Sequence, residues 1–508
     1  MHKKPADSLL LGCSSRSPDN EGHASPKYSD RLSPAINMYL SEASRQEVRV
    51  CPTFTYSHWL QASIMTVDRY ASAESYYKLA LAYASVPDLH IMWLLHLCDA
   101  HQEMQSWAEA AQCAVAVAGV IMQVSILYAV TAEASAAEVE GYGASKLTVD
   151  SAVKYLQLAN KLFSQAELYH FCANILELII PVYKSRRAYG QLAKCHTSLA
   201  SIYDSILEQE SSPIPFIDAT YYRVGFYGNR FGKLDRKEYV YREPRDVRLG
   251  DIMEKLSHVY ESRMDCSHTL HIIPDSRQVN AEELQPDVCY LQITAVDPVM
   301  EDEDLGSRRE RIFSLSTGSV RARVFDRFLF DTPFTKNGKT QGGLEDQWKR
   351  RTVLQTEGSF PALVNRLLVV KSESLEFSPV ENAIGMIETR TAALRNELEE
   401  PRSSEGDHLP RLQSLQRILQ GSVAVNSGVL SVCKAFLSGE PATRLRSQEL
   451  QQLIAALLEF MAVCKRAIRV HFRLIGEEDQ DFHTQLVNGF QSLTAELSHY
   501  IPAILSEL

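Results

Sequence analysis

The sequence predicts an α+β fold, mostly α: an N-terminal helical-repeat-like array, a central antiparallel β lobe and a C-terminal antiparallel helical bundle. Three observations predict it. Apolar residues recur at helical spacing from about Trp59 to Glu208, at strand-like spacing from about Asp218 to Lys371, and at helical spacing again from Val380. The run SSPIP, Ser211 to Pro215, marks the first change, because proline removes a backbone donor and stops a helix. The polar stretch EEPRSSEGDHLP then separates two of the last helices as an exposed linker. The chain therefore divides into a tail (1–50), the array (51–210), the β lobe (211–375) and the bundle (376–508).

Each part has its own warrant. Residues 1–50 are rich in Ser and Pro and poor in large apolar groups, so they cannot bury enough to offset the entropy of ordering and read as disordered. In SAVKYLQLANKLFSQAELYH, apolar groups at Leu156, Ala159, Phe163, Ala166 and Tyr169 form one stripe on a helix. Further stripes run around Trp93 to Trp107 and from Phe171 to Ile206. Small and aromatic residues alternate as in helical hairpins, which must stack to bury their faces. Beyond SSPIP, the runs YYRVGFYG, KEYVYRE, CYLQITAV, RIFSLS, ARVFDRFLF and RTVLQ are short and rich in β-branched and aromatic residues. One helix, near Arg248 to Arg263, interrupts them. The final helices are expected over Val380–Leu398, Leu409–Gln420, Val429–Leu437, a long one with Leu450, Leu453, Leu457, Met461, Cys464 and Ile468 on one stripe, and Asp481–Leu505.

Composition narrows the function. A net charge of −11 lacks the basic footprint that broad nucleic-acid binding needs. The ten cysteines stand singly, with no C-x-x-C pair, which fits reduced thiols in a cytoplasmic protein. His96, Cys98 and His101 lie close together but among Trp93, Leu94, Leu95 and Leu97, so they read as a buried helix rather than a metal site. Lys3 and Lys4 precede only Leu9 to Leu11, too short an apolar run for a secretory leader. From Cys113 to Val130 only Gln123 and Ser125 are polar, the length of a membrane helix. The alanine content and the absence of flanking basic bias favour a buried helix.

Familiar catalytic patterns are missing. Gly338-Lys339-Thr340 ends like a phosphate-binding loop, but Pro333 stands where the first glycine is required. Asn337-Gly338 reads instead as a hairpin turn. Gly228 and Gly232-Lys233 are followed by Leu234 and fail the same test. There is no G-x-S-x-G elbow and no H-E-x-x-H helix. No catalytic residue, cofactor or metal is expected. Lys349, Arg350 and Arg351, after Trp348, form the sharpest basic cluster. It reads either as a solvated strand start or as a contact for an acidic partner or anionic lipid.

One stretch organises the rest. In LQRILQGSVAVNSGVLSVCKAFL, Leu415 to Leu437, two apolar helical runs flank a loop from Gly421 to Gly428. The loop holds no acid, base or nucleophile, and pattern alone reads it as a helix–loop–helix corner. Together with DATYYRVGFYG, KEYVYREP, CYLQITAV and FLFDTPFTKNGKTQGGLEDQWKRRTVL, however, the LQGSV…NSG loop resembles the DOCKER domain of the DOCK family of guanine nucleotide exchange factors, and within it the plant SPIKE type. The resemblance covers residues 59–508.

It implies a protein that does no covalent chemistry and accelerates GDP release from a Rho-family (Rac/Rop-type) small GTPase, a Rop if the chain is from a plant. It implies that the array is lobe A and dimerises, that lobes B and C grip the switch regions, and that a loop valine senses the nucleotide site. By position before Asn-x-Gly that residue is Val425, with Val423 as the alternative because family loops are slightly longer here. Gly421, Ser422, Ala424, Asn426 and Gly428 complete the loop. Lys349, Arg350 and Arg351 are the candidate GTPase contact, and peripheral membrane recruitment is compatible with the family.

Overall fold

The computed structural model describes residues 68–134, 147–211, 216–262, 269–280, 282–285, 287–299, 324–336, 342–399, 409–423, 428–438, 446–476 and 480–501. It is mostly helical, with a single sheet region in the middle of the chain.

Among the described residues six helices come first: α1 (Arg69–Ala82), α2 (Pro87–Glu103), α3 (Trp107–Ala134), α4 (Val149–Gln165), α5 (Tyr169–Ser185) and α6 (Tyr189–Ser211), each packed on the next. Their starts follow from local chemistry. Asp68 Oδ1 accepts from Ala71 N at 3.0 Å, Thr148 Oγ1 accepts from Ser151 N, and Pro87 opens α2 where no donor is needed. Three of the ends share one device. Gln105, Glu167 and Arg187 take φ of 59°, 56° and 55°, just past α2, α4 and α5. Each corner is closed by an N–H bond back to the last turn: Ser106 to His101 (2.9 Å), Leu168 to Phe163 (3.0 Å) and Ala188 to Tyr183 (3.0 Å). The apolar stripes around Trp93–Trp107 and over Phe171–Ile206 are thus each broken in two, at corners that apolar spacing does not reveal.

α3 holds the membrane-length stretch. Its Trp107–Ser125 window is long and apolar enough to span a bilayer, and 83% of it is buried inside the fold. Cys113 to Met122 are all buried, and the alanines let α2 and α4 approach on both sides. This is a core helix.

Among the described residues seven strands follow: β1 (Ala219–Tyr227), β2 (Lys237–Pro244), β3 (Thr269–Ile273), β4 (Val288–Pro298), β5 (Phe325–Phe334), β6 (Trp348–Phe360) and β7 (Arg366–Phe377). Their order, β1-β2-β7-β6-β5-β4-β3 with β1 also on β4, closes six strands into a ring and leaves β3 outside it. The ring is antiparallel throughout, and β3 joins β4 in parallel. β4 and β5 meet over two residue pairs, Asp297 with Leu329 and Pro298 with Phe328. Helix α7 (Leu249–Glu261) buries Ile252, Leu256, Val259 and Tyr260 against Tyr222, Val224, Phe226 and Ile293. The other face of the sheet packs Tyr221, Val240, Phe328, Leu354 and Phe360 together.

Two strands differ from expectation. β3 is too short and too exposed to register as a strand. β7 is not among the expected runs; it closes the lobe and continues past the expected lobe boundary at Lys371 to Phe377, where Lys371 to Glu376 are exposed and look like loop residues. RIFSLS and Asn337-Gly338 lie outside the described residues.

The remaining helices are α8 (Pro379–Glu399), α9 (Leu409–Val423), α10 (Val429–Phe436), α11 (Ser447–Leu474) and α12 (Gln480–Ser498). α11 is central. It packs on α8, α9 and α12 and buries Leu453, Leu457, Phe460, Met461 and Cys464 completely. The last helix ends earlier than the expected Leu505, with Tyr500 and Ile501 N–H both turned back onto the Leu497 carbonyl.

Candidate functional site

The organising loop connects α9 to α10. Of its residues, Ala424, Val425, Asn426 and Ser427 lie outside the described residues. The flanks are well defined. Gly421 is exposed, whereas Ser422 and Val423 are buried at the end of α9. Val423 is 3% exposed and belongs to the core with Leu419, Val429 and Leu486. Gly489 of α12 lies so close that a Cβ there would stand 3.4 Å from Val423 Cγ2. On the far side Gly428 takes φ +84°, a left-handed conformation that glycine adopts without penalty, and starts α10. The loop is therefore pinned at both ends by buried apolar helices.

This corner stands beside the sheet. α10 and α8 both pack on the short turn Leu344–Asp346, which leads directly into β6. The Gln347 carbonyl accepts from Asn382 Nδ2 of α8 at 2.9 Å. The structure thus brings the loop's flank and the strand carrying Lys349, Arg350 and Arg351 to one junction between sheet and helices.

The basic cluster is not a solvated strand start. Arg351 is buried and donates to both oxygens of Asp331, at 2.9 and 3.0 Å. Lys349 Nζ stands 3.3 Å from the same carboxylate. Arg350 pairs with Glu376 at 2.8 Å, and its guanidinium lies 5.0 Å from the Phe334 ring centre. Burial works against the Asp331 charge, but the Arg351 hydrogen bond and the Lys349 charge outweigh it and hold the carboxyl below its usual range. A carboxyl depressed in the folded state adds stability that is full above its unfolded pKa. That stability is lost as pH falls through the folded value. Acid titration should therefore weaken the sheet only below the ordinary carboxylate range, and Asp331→Asn should flatten that part of the stability–pH curve.

A second set of charges, invisible to sequence pattern, fixes the ring against the N-terminal helices. Arg242 Nη1 donates to both oxygens of Glu109 on α3, at 2.8 and 2.9 Å, and Nη2 donates to Asp218 at 2.9 Å. Arg366 donates to Glu74 of α1 at 2.5 Å and to the Tyr241 hydroxyl at 2.8 Å. Tyr70 donates to Glu243 at 2.5 Å, and Glu243 also takes Lys255 at 3.2 Å. His101, buried as expected with Cys98, bonds the Leu363 carbonyl at 2.8 Å, and Gln112 donates to the Pro361 carbonyl. Burial raises the cost of the Glu74 charge, yet Arg366 outweighs it and keeps the carboxyl below its usual range.

What this arrangement can do chemically is limited. Among the described residues no three His, Cys, Asp or Glu side chains come close enough to hold a metal ion. Burial pushes the Cys98, Cys172 and Cys433 thiols up to about 12, so they behave as apolar side chains and not as nucleophiles. The junction offers an apolar corner, paired charges and a wall of sheet.

Comparison with known proteins identifies the family. Residues 74–208 match the family DHR-2, Lobe A; residues 276–359 match DHR-2, Lobe B; and residues 400–500 match DHR-2, Lobe C. Guanine nucleotide exchange factor SPIKE 1 of Arabidopsis thaliana is 86% identical over 475 residues, covering 89% of this chain and 26% of that protein. Dedicator of cytokinesis protein 6 of Mus musculus is 32% identical over 85% of this chain and 21% of its own length. Dedicator of cytokinesis protein 8 of Homo sapiens is 29% identical, with the same two shares. The chain thus spans about a quarter of the length of these relatives. With all three lobes matched in order, the chain belongs to the DOCK family, as a DHR-2 (DOCKER) region of the SPIKE type.

Proposed function

We propose that the chain is a guanine nucleotide exchange module for a Rho-family GTPase of the Rac/Rop type. The observation that carries the reading is the ordered match to DHR-2 lobes A, B and C, together with a relative at 86% identity named as an exchange factor. The division into array (51–210), β lobe (211–375) and bundle (376–508) is part of this reading. The three matching corners after α2, α4 and α5 support a repeat-like array.

The mechanism is one of preferential binding. A partner accelerates GDP release when it binds the nucleotide-free GTPase more tightly than the loaded one. By linkage, nucleotide and Mg²⁺ then expel the partner. Such a device needs an apolar wedge at the metal site and no base. Val425 is the proposed wedge, because an aliphatic side chain takes the ion's space and offers it no ligand. Burial of Val423 in the helical core supports assigning the role to Val425. Arg350, at the rim of the junction, is the member of the basic cluster best exposed to meet the GTPase.

The last helix of the array is proposed to pair with a second copy of the chain. Tyr189, Tyr203 and Leu207 expose large apolar groups along α6, which has no following array helix to cover them. The reading places the protein in the cytoplasm, recruited peripherally to membranes.

Release of a fluorescent GDP analogue from a Rop or Rac GTPase tests the proposal. The protein should accelerate release and hold the nucleotide-free GTPase until GTP and Mg²⁺ are added. Binding that ignores nucleotide state would instead identify a non-catalytic helical scaffold.

A further inference from the structure

β7 has two different edges. On one side it pairs with β6 from Lys349–Phe377 up to Thr356–Val369. On the other it pairs with β2 only at Arg366, Leu367 and Leu368. Among the described residues no strand lies beyond that second edge from Val369 onward. Val370 to Glu376 are all exposed, with Val370 at 58% and Leu375 at 45%. An exposed edge of this kind presents alternating unpaired N–H and C=O groups, a ready template for another strand.

The edge opens onto a groove of about 520 Å³ between β7 and the start of β2. Arg223 forms its floor, bonded to Glu238 and to Gln292 Oε1 at 2.8 Å, with its guanidinium over the Phe330 ring. Around it stand Arg236, Lys237, Arg277, Arg350 and Lys371, while Glu238, already held by Arg223, is the one carboxylate in the lining. Arg277, Arg350 and Lys371 have exposed acidic neighbours in Asp275, Glu376 and Glu373. Such exposed pairs are weak and exchange readily for a better anion. Arg236 and Lys237 make no ion pair among the described residues.

We propose that this groove binds an extended acidic peptide segment of a partner protein, added as a strand to the free edge of β7. Two observations select that ligand. The edge needs both donors and acceptors along a line, which a backbone supplies and a phosphate does not. The lining needs negative charge, and carboxylates at alternate positions of a strand of about six residues would all face the groove. The groove shares Arg350 with the proposed GTPase contact, but the edge of β7 and the other basic residues carry the proposal without the exchange reading.

The test uses the full chain and a fluorescein-labelled octapeptide of alternating glutamate and threonine, followed by fluorescence anisotropy. The acidic peptide should bind. A peptide with lysine in place of glutamate should not bind. An equally charged peptide with two prolines in place of threonines should bind at least tenfold more weakly, because proline donates no N–H to the edge. The variant K237E/K371E, altered only at exposed strand positions, should also lose at least tenfold. Arg277→Glu, which lies off the strands, gives the same reading if that variant does not fold. Equal affinity for the proline peptide would overturn the proposal by showing attraction through charge alone. Displacement by equimolar inorganic triphosphate would overturn it in favour of a small-anion site. Undiminished binding by the variants, or no binding of the acidic peptide, would also overturn it.

Discussion

Arg242→Met should cost the fold about 3–5 kcal/mol, the usual penalty for removing one partner of a buried ion pair. Arg242 is the sole cation bonded to Glu109 among the described residues and also holds Asp218. Methionine keeps the apolar length and removes the charge. Two carboxylates are then left facing each other, one of them fully buried. Urea denaturation followed by tryptophan fluorescence reads the effect, since Trp93 and Trp107 report on the N-terminal helices and Trp348 on the sheet. The double variant Glu109→Gln/Arg242→Met should recover part of the loss, because one buried charge is removed with the other. A midpoint unmoved by Arg242→Met would mean that apolar contacts alone, such as Leu363 within the helical core, hold the two parts together.

Val425→Ala should slow GDP release roughly tenfold, within the range of about 1–3 kcal/mol typical of coupling between two sites. In the proposed wedge role the side chain contributes nothing to the chain's own core, so stability should change by less than about 0.5 kcal/mol. Val423→Ala is the informative control. It removes two methyl groups from a buried position against Gly489, so it should cost on the order of 2 kcal/mol of stability while leaving exchange per folded molecule intact. Full exchange by Val425→Ala with loss in Val423→Ala would reverse the assignment.

These two predictions draw on different kinds of legibility. The stripe through Leu156, Ala159 and Phe163 is readable because a helix repeats its face every three or four residues, and all three are buried, but its expected continuation to Tyr169 fails: the helix ends at Gln165 and Tyr169 opens α5. SSPIP marked the change of architecture because proline acts locally. The three corners at Gln105, Glu167 and Arg187 were not readable, since the residues are ordinary and only their φ is special. β7 as a whole is not legible for a related reason: Lys371 to Glu376 are exposed on both faces among the described residues, so they lack the alternation that announces a strand. The seam of Arg242 with Glu109 joins residues 133 positions apart, and no short pattern carries that pairing. The loop at Val425 lay at the opposite extreme. Local pattern made it an unremarkable corner, and likeness to a family singled it out. The structure adds where its flanks are anchored, beside the strand that bears the basic cluster.

The ring of strands has a weak point with mechanical meaning. Most neighbouring strands share long ladders, but β4 and β5 meet at two pairs, and Pro298 in one of them has no N–H to give. A closed ring resists shear along its strands far better than peeling at a short seam. The N-terminal helices hold β2 and β7 through Arg242 and Arg366, while the C-terminal helices lean on β6 and β7. Both helical regions hold β7 directly, so load between them runs through that strand and its long ladder with β6. The short β4–β5 clasp lies across the ring from this path, which leaves the seam with the fewest backbone pairs the least loaded.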